Sequence, residues 1–324
     1  MHTINSSLQH FFGVDVAKAE LVIHRFGERA VHALPNATKD IERWLDTLPE
    51  HSAVAVESTG SFYLAVARAC VDRGIPVYVL NAQRVRHYAK GVGRGAKTDR
   101  LDAQVISRYL AHEHSKLHPW SPLPEPLAQL STLLTVRDTL VRSVQSTRQS
   151  CKALGFVPTN VQLFLRSGEA LARGLEREAT KIARAHAPWR DLLRRLRTVP
   201  GIGPLNSLAL LLALHRHPLT RVDAFIALTG LDPRPCDPGQ KRGRRALSKC
   251  GDALLRKLLH TAAMAAVGNP LFAPDYQKLQ SRGLSKTAAL VVIARKLARI
   301  AWGIFRSGKE FDPQILNARA CAAT

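Results

Sequence analysis

The chain has 324 residues, enough for about two domains and a sizeable core, and its 47 Lys and Arg against 25 Asp and Glu give a formal charge of +22. The excess is lopsided: residues 1–110 hold 14 basic and 11 acidic side chains, residues 111–324 hold 33 and 14. Lys and Arg set against phosphates release condensed counterions, so the second part is built to meet a polyanion. The five cysteines (Cys70, Cys151, Cys236, Cys250, Cys321) are odd in number and widely spaced, with no CxxC pair. They argue against a disulfide framework or a zinc ribbon and for a reducing cytoplasm. No basic-then-apolar leader and no run of about 18 apolar residues occurs, so neither secretion nor a membrane partner is expected.

In chain order, Phe11 to Val16 and Glu20 to Phe26 read as neighbouring strands, with Val31 to Leu34 extending the meander. Ile41, Trp44, Leu45 and Leu48 repeat at helical spacing behind Thr38, a candidate cap. Ala53 to Val56 is a buried strand, Phe62 to Arg73 a helix ended by Gly74, and Pro76 to Leu80 the next strand. Meander, then strand, helix and strand, predicts a mixed sheet with helices packed on it. Asn81 to Lys97 is basic and glycine-rich near its end, and Thr98 can cap a helix to about Ala111.

Four prolines in His118 to Pro126 forbid a helix and mark a boundary. Beyond it, Leu127, Leu130, Leu134, Val141 and Val144 approach a heptad seam, interrupted at Arg137, and a helical run from Val161 to about Ala187 folds back on it. The third region carries Val-Pro-Gly-Ile-Gly-Pro at 199–204, an apolar helix at 205–214, a Gly- and Arg-rich loop at 238–247, and helices at about 249–267 and 286–306. On the last helix, Leu290, Ile293, Leu297, Ile300 and Ile304 form the apolar face, which puts Arg295, Lys296, Arg299 and Arg306 toward solvent or nucleic acid. The domains expected are 8–117, 118–190 and 191–310, with a tail at 311–324.

Four acids carry the chemistry. Asp15 lies inside an apolar strand, Glu57 ends another, and Asp99 and Asp102 sit three apart on the first turn of a helix. Singly, each reads as a strand-end, turn or helix-start acid. Four converging carboxylates would repel one another unless a hard cation such as Mg²⁺, or Mn²⁺ in its place, lay between them. Arg84, Arg86, Lys90, Arg94, Lys97 and Arg100 then line the entrance and hold a phosphodiester, or else form a solvated basic loop. The Gly91–Thr98 run fits neither a P-loop nor a dinucleotide fingerprint.

The turn with Gly201 and Gly203 is similar to a helix-hairpin-helix module that holds a phosphate on backbone N–H groups, and equally to a plain helix-joining turn. Ser248 precedes a leucine-rich helix, where its default is an N-cap. Beside Arg242, Arg244, Arg245 and Lys249 it also stands where a phosphate binds, and its hydroxyl could attack phosphorus. His112, His114 and His118, and the pair His215 and His217, lack a matching second ligand cluster and read as surface or packing residues.

Together, Gly-Val-Asp15-Val-Ala-Lys, Val-Glu57-Ser-Thr-Gly-Ser-Phe-Tyr, Lys97-Thr-Asp99-Arg-Leu-Asp102-Ala, Val-Pro-Gly-Ile-Gly, Phe-Ile-Ala-Leu-Thr-Gly-Leu-Asp-Pro at 225–233 and Ser248-Lys-Cys-Gly-Asp-Ala-Leu-Leu-Arg resemble the DEDD insertion-sequence transposases. These are recombinases guided by a structured bridge RNA, and they include related DNA invertases. The likeness covers nearly the whole chain and is weakest over 115–190, where helical period is present without a motif. It implies an α/β RuvC-like, RNase H-fold domain, a helical coiled-coil insertion, and a mainly helical transposase domain with a nucleophilic serine. By position, Asp15, Glu57, Asp99 and Asp102 would hold Mg²⁺ and Ser248 would form a phosphoserine link. Dimers pairing into tetramers, with acids and serine from different subunits, and DNA and a guide RNA as partners, are implied with it. The rivals are a junction nuclease in which water attacks, and a non-enzymatic nucleic-acid scaffold with structural acids.

Overall fold

The computed structural model describes residues 8–58, 60–92, 99–216, 219–234, 246–249 and 251–314, with backbone only at 99–101, 153, 234 and 246. The chain divides into two compact units, Met1–Pro122 and Leu123–Thr324.

The first unit is a five-stranded mixed sheet in the order β3-β2-β1-β4-β5. β1 (His10–Val16), β2 (Glu20–Arg25) and β3 (Val31–Pro35) form the antiparallel meander, while β4 (Ser52–Glu57) and β5 (Val77–Leu80) run parallel to β1. One face carries Phe12, Val14, Val16, Val54 and Val56 against α1 (Thr38–Asp46) and α2 (Leu64–Asp72), through Ile41, Leu45, Val66, Ala67 and Cys70. The other carries Ala53, Ala55, Tyr78 and Leu80 against α3 (Ala82–Gly91) and α4 (Asp99–Glu113), through Val85, Val105, Ile106 and Leu110. With both faces covered, β4 is buried almost end to end and shows no polar alternation. This is the mixed sheet with helices packed on it that the residue pattern predicted, and it agrees with the RuvC-like, RNase H fold that the family resemblance implied.

Two local expectations change. Thr38 is the first helical residue of α1 rather than its cap; Ala37 holds the cap position and no side chain caps the helix. The described part of the basic stretch after Asn81 is helical over Ala82–Gly91: Asn81 Oδ1 accepts from the N–H groups of Gln83 and Arg84, satisfying two donors that a helix start leaves free. Gly74, at φ +70°, closes α2 as expected. The expected cap Thr98 lies outside the described residues.

The second unit is helical. α5 (Glu125–Cys151) and α6 (Thr159–Ala185) form an antiparallel hairpin. Arg137 Nε meets Glu176 Oε2 at 3.2 Å, Arg148 pairs with Glu169, and a Cβ on Gly168 would fall 2.5 Å from Val144 Cγ2, so the helices touch where only glycine fits. The arginine that interrupts the seam is thus matched by a carboxylate across it. From the hairpin, Leu127, Leu130, Leu134, Ala179 and Ala183 share one core with α7 (Ala187–Leu196), α8 (Pro204–Arg216), α9 (Val222–Thr229), α10 (Ala253–Ala266) and α12 (Lys286–Ser307). α11 (Ala273–Ser281) packs beside α12, and a two-stranded ladder pairs β6 (Pro233–Arg234) with β7 (Ala246–Leu247).

α12 departs from its expected polar face. Arg295 and Lys296 are half-buried, with Lys296 ion-paired to Asp275 across to α11. Arg299 and Arg306 are exposed, Arg299 meeting Asp223 at 2.8 Å. Among the described residues no helix is long and apolar enough to cross a membrane.

Candidate active site

Strand register brings the first two acids together. Val14 faces Val56 across the parallel β1–β4 pair, and Asp15 and Glu57 are each the next residue on. Adjacent strands lie about 4.8 Å apart and side chains alternate, so both carboxylates stand side by side on one face. That is the α4 face, since Gly13, Ala53 and Ala55 share its parity.

α4 supplies the other two acids. A Cβ on Gly13 would lie 2.2 Å from Ser107 N and 2.4 Å from Ala103 O, so the helix backbone rests directly on β1. The His114 ring packs on Phe11 at 4.8 Å, which makes α4 run opposite to β1. From Gly13 to Asp15 is about 6.6 Å of strand, or about four helical residues at 1.5 Å each. Four residues back from the 103–107 contact is the first turn of α4, which carries Asp99 and Asp102. Asp15, Glu57 and Asp102 are all partly buried; the side chain of Asp99 lies outside the described residues.

This donor set is carboxylate oxygen alone, the chemistry that Mg²⁺ and Mn²⁺ accept, and the positive end of the α4 dipole points at it. In their chemistry these residues suit a hard divalent cation. Among the described residues no group of three His, Cys, Asp or Glu that could hold a metal ion occurs, so Asp15, Glu57 and Asp102 do not by themselves close into one; the side chain of Asp99 lies outside the described residues.

Arg84 and Arg86 are exposed on α3, which leaves the carboxyl end of β5. Arg94 and Lys97 lie outside the described residues. In the 199–204 turn, Gly201 has φ +90° and its missing Cβ would meet Ala262 O of α10 at 2.4 Å, so close packing alone requires glycine there. Gly203 faces open space just ahead of α8.

Ser248 does not cap α10. The cap is Asp252, whose Oδ1 accepts from Leu254 N at 2.9 Å and Leu255 N at 3.1 Å. A carboxylate already occupies the free N–H groups, which leaves the serine hydroxyl without that task. Ser248 follows β7, its N–H donating to Asp232 O at 2.9 Å; Lys249 N donates to Gly230 O and Asp252 N to Leu228 O. Ser248, Lys249 and Asp252 are thereby tied to Asp232, Gly230 and Leu228. Lys249 has φ +51°, a left-handed conformation that L side chains adopt at a cost. Among the described residues the Ser248 hydroxyl has no hydrogen-bond partner, and the side chain is partly exposed. Arg242, Arg244 and Arg245 lie outside the described residues.

Sequence reasoning missed what supports these groups. A Cβ on Gly251 would lie 2.1 Å from Leu228 O, and Arg256 donates to both Thr229 O and Gly251 O at 3.3 Å. Arg256 stands inside the quoted serine motif, and that is the signal that could have singled it out. The histidines behave as packing groups: His112 meets Phe26 edge-on, and His215 sits between Trp189 and Phe305. Burial pushes the Cys70 thiol up to about 12, against a smaller opposing pull from Arg73, which keeps it from acting as a nucleophile.

A DEDD transposase model of the IS110 family matches residues 12–154, and a model described as transposase of the IS116/IS110/IS902 family matches residues 193–277. The chain is 28% identical over 335 residues to the transposase for insertion sequence element IS1328 of Yersinia enterocolitica, covering 93% of this chain and 98% of that one. It is 25% identical over 265 residues to the pilin gene-inverting protein of Moraxella bovis, covering 80% and 82%. The two family matches fall on both units, one across the acids and one across Ser248, and the chain belongs to the IS110 family of transposases, DNA transposases and recombinases of insertion sequences.

Proposed function

We propose that this transposase cuts and rejoins DNA through a covalent phosphoserine, with Ser248 as nucleophile and Asp15, Glu57, Asp99 and Asp102 holding Mg²⁺ or Mn²⁺. The observation that carries the reading is the register of Asp15 beside Glu57, with the first turn of α4 laid toward them. The bound cation would polarise the scissile phosphate and offset its developing negative charge. The chain's own groups do the rest. Ser248 Oγ attacks phosphorus and loses its proton, the phosphorus bond to the leaving deoxyribose oxygen breaks, and that oxygen takes up a proton. The ester retains the bond energy, so a hydroxyl of a different strand can attack it and restore the serine.

Lys249, with Arg242, Arg244 and Arg245, neutralises the phosphate at the serine. Arg84, Arg86, Arg94 and Lys97 hold the backbone near the acids, and Gly203, Gly201 and the start of α8 offer a further phosphate contact. A structured guide RNA accounts for much of the positive charge of residues 111–324. The working form is a dimer, pairing into a tetramer, in which acids and serine come from different subunits. Likeness to the gene-inverting protein of Moraxella bovis favours inversion as the second reading of the natural reaction.

The test uses suicide DNA substrates with RNA copurified from the host. Ser248→Ala should lower the protein–DNA adduct by about 10³-fold or more, and Asp99→Ala should do the same. Cleavage that survives Ser248→Ala but not Asp99→Ala would replace the serine by water. Full function in an Asp15→Asn, Asp102→Asn double variant would make the acids structural.

A further inference from the structure

The first unit buries one polar pair that the proposed reaction does not use. His24 on β2 is 5% exposed and Ser107 on α4 is fully buried, and His24 Nδ1 lies 2.7 Å from Ser107 Oγ. The second ring nitrogen, Nε2, lies 2.9 Å from Glu28 O, which can only accept, so Nε2 carries a hydrogen and fixes the ring. Ser107 Oγ also reaches Gln104 O at 3.0 Å, within its own helix. A polar pair this deep is costly unless satisfied, and here the single Ser107 hydroxyl hydrogen is shared between two acceptors within reach, His24 Nδ1 and Gln104 O.

We propose that His24 and Ser107 are positioning residues for the acid edge: their bond fixes the slide and rotation of α4 on β1 and β2, and with it the distance of Asp102 from Asp15 and Glu57. Three placements support this. His24 pairs across the ladder with Gly13, and Gly13 is the residue on which Ser107 and Ala103 rest, so the bond sits at the closest approach of helix and sheet. Elsewhere α4 meets the sheet through apolar packing of Val105, Ile106 and Leu110, and through ring contacts at or beyond its other end, where His112 meets Phe26 and His114 meets Phe11. Aromatic edges tolerate small shifts, whereas a 2.7 Å hydrogen bond is directional. Ser107 is also only five residues along the helix from Asp102, so a turn of α4 about this point is passed directly to the carboxylate.

The inference rests on the acids binding a divalent ion, and the experiment separates the two. The full-length chain is titrated calorimetrically with Mn²⁺ in the absence of nucleic acid. Ser107→Ala and His24→Leu should each weaken Mn²⁺ binding by about tenfold, the lower end of what the loss of an outer-shell partner costs, while affinity for DNA stays at the wild-type value. Val66→Ala, a cavity on the opposite face of the sheet, serves as the control for general loosening; at a comparable drop in Tm it should leave Mn²⁺ affinity unchanged. Wild-type Mn²⁺ affinity in Ser107→Ala, or an equal loss in Val66→Ala, overturns the positioning role. Should Ser107→Ala fail to fold, Ser107→Cys, which keeps a weak donor, is read in the same way. Failure of Asp15→Asn to weaken Mn²⁺ binding would instead overturn the metal reading beneath it.

Discussion

The acids and the serine stand on opposite kinds of scaffold. Asp15 and Glu57 end two parallel strands whose faces are both covered, so sheet register sets their spacing and a helix lying on bare backbone sets the approach of the other two. Ser248 stands on irregular chain between a two-residue ladder and α10, held by backbone bonds to 228–232 and by the Arg256 guanidinium. In the proposed reaction the carboxylates share a cation and need fixed mutual distances, which a buried sheet provides. A nucleophile that must reach phosphorus, become esterified and be released again gains from a perch with local freedom.

The largest effect expected from breaking this contrast comes at its two tightest glycines. Gly13→Ala forces a methyl into the α4 backbone and should cost about 3 kcal/mol or more. Hydrogen exchange should rise across β1, β4 and α4 and leave α10 protected. Gly251→Ala, against Leu228 O, should show the converse, with α9 and α10 loosened and the sheet unchanged. Asp252→Ala is the intermediate case. Loss of the α10 cap should cost about 1 kcal/mol in urea unfolding, whereas Ser248→Ala should cost almost nothing, because the serine caps no helix. The smallest effect sharpens the sheet side. With its pKa pushed up by burial to about 12, the Cys70 thiol is under about 1% thiolate at pH 9, so iodoacetamide should leave it unmodified in the folded chain at that pH and alkylate it after unfolding.

The strands were legible because Phe11 to Val16 and Ala53 to Val56 are apolar runs that few other structures accommodate, and the hairpin because Leu127, Leu130 and Leu134 repeat at seam spacing. What stayed hidden depends on contacts far apart in the chain. Gly13 reads as an ordinary strand glycine until α4 lies on it, and the His24–Ser107 bond joins residues 83 positions apart. α3 was missed because it buries only Val85 and presents basic residues elsewhere, so its helical period is faint and the Asn81 cap is its main sign. At the serine, local pattern pointed to Ser248 as the cap; the folded chain shows that Asp252, four residues on, has the bonds. Arg295 and Lys296 looked solvated on a helical wheel, and it is α11, unforeseen, that covers that side.

Lys249 occupies backbone space that suits glycine, and the fold tolerates a charged, β-carbon-bearing residue there. Thermodynamic ruggedness and electrostatic service are therefore in conflict at one position. A glycine would relax the loop yet remove the positive charge from the residue that follows Ser248, so variants selected for heat resistance alone should drift toward sturdier, poorer recombinases.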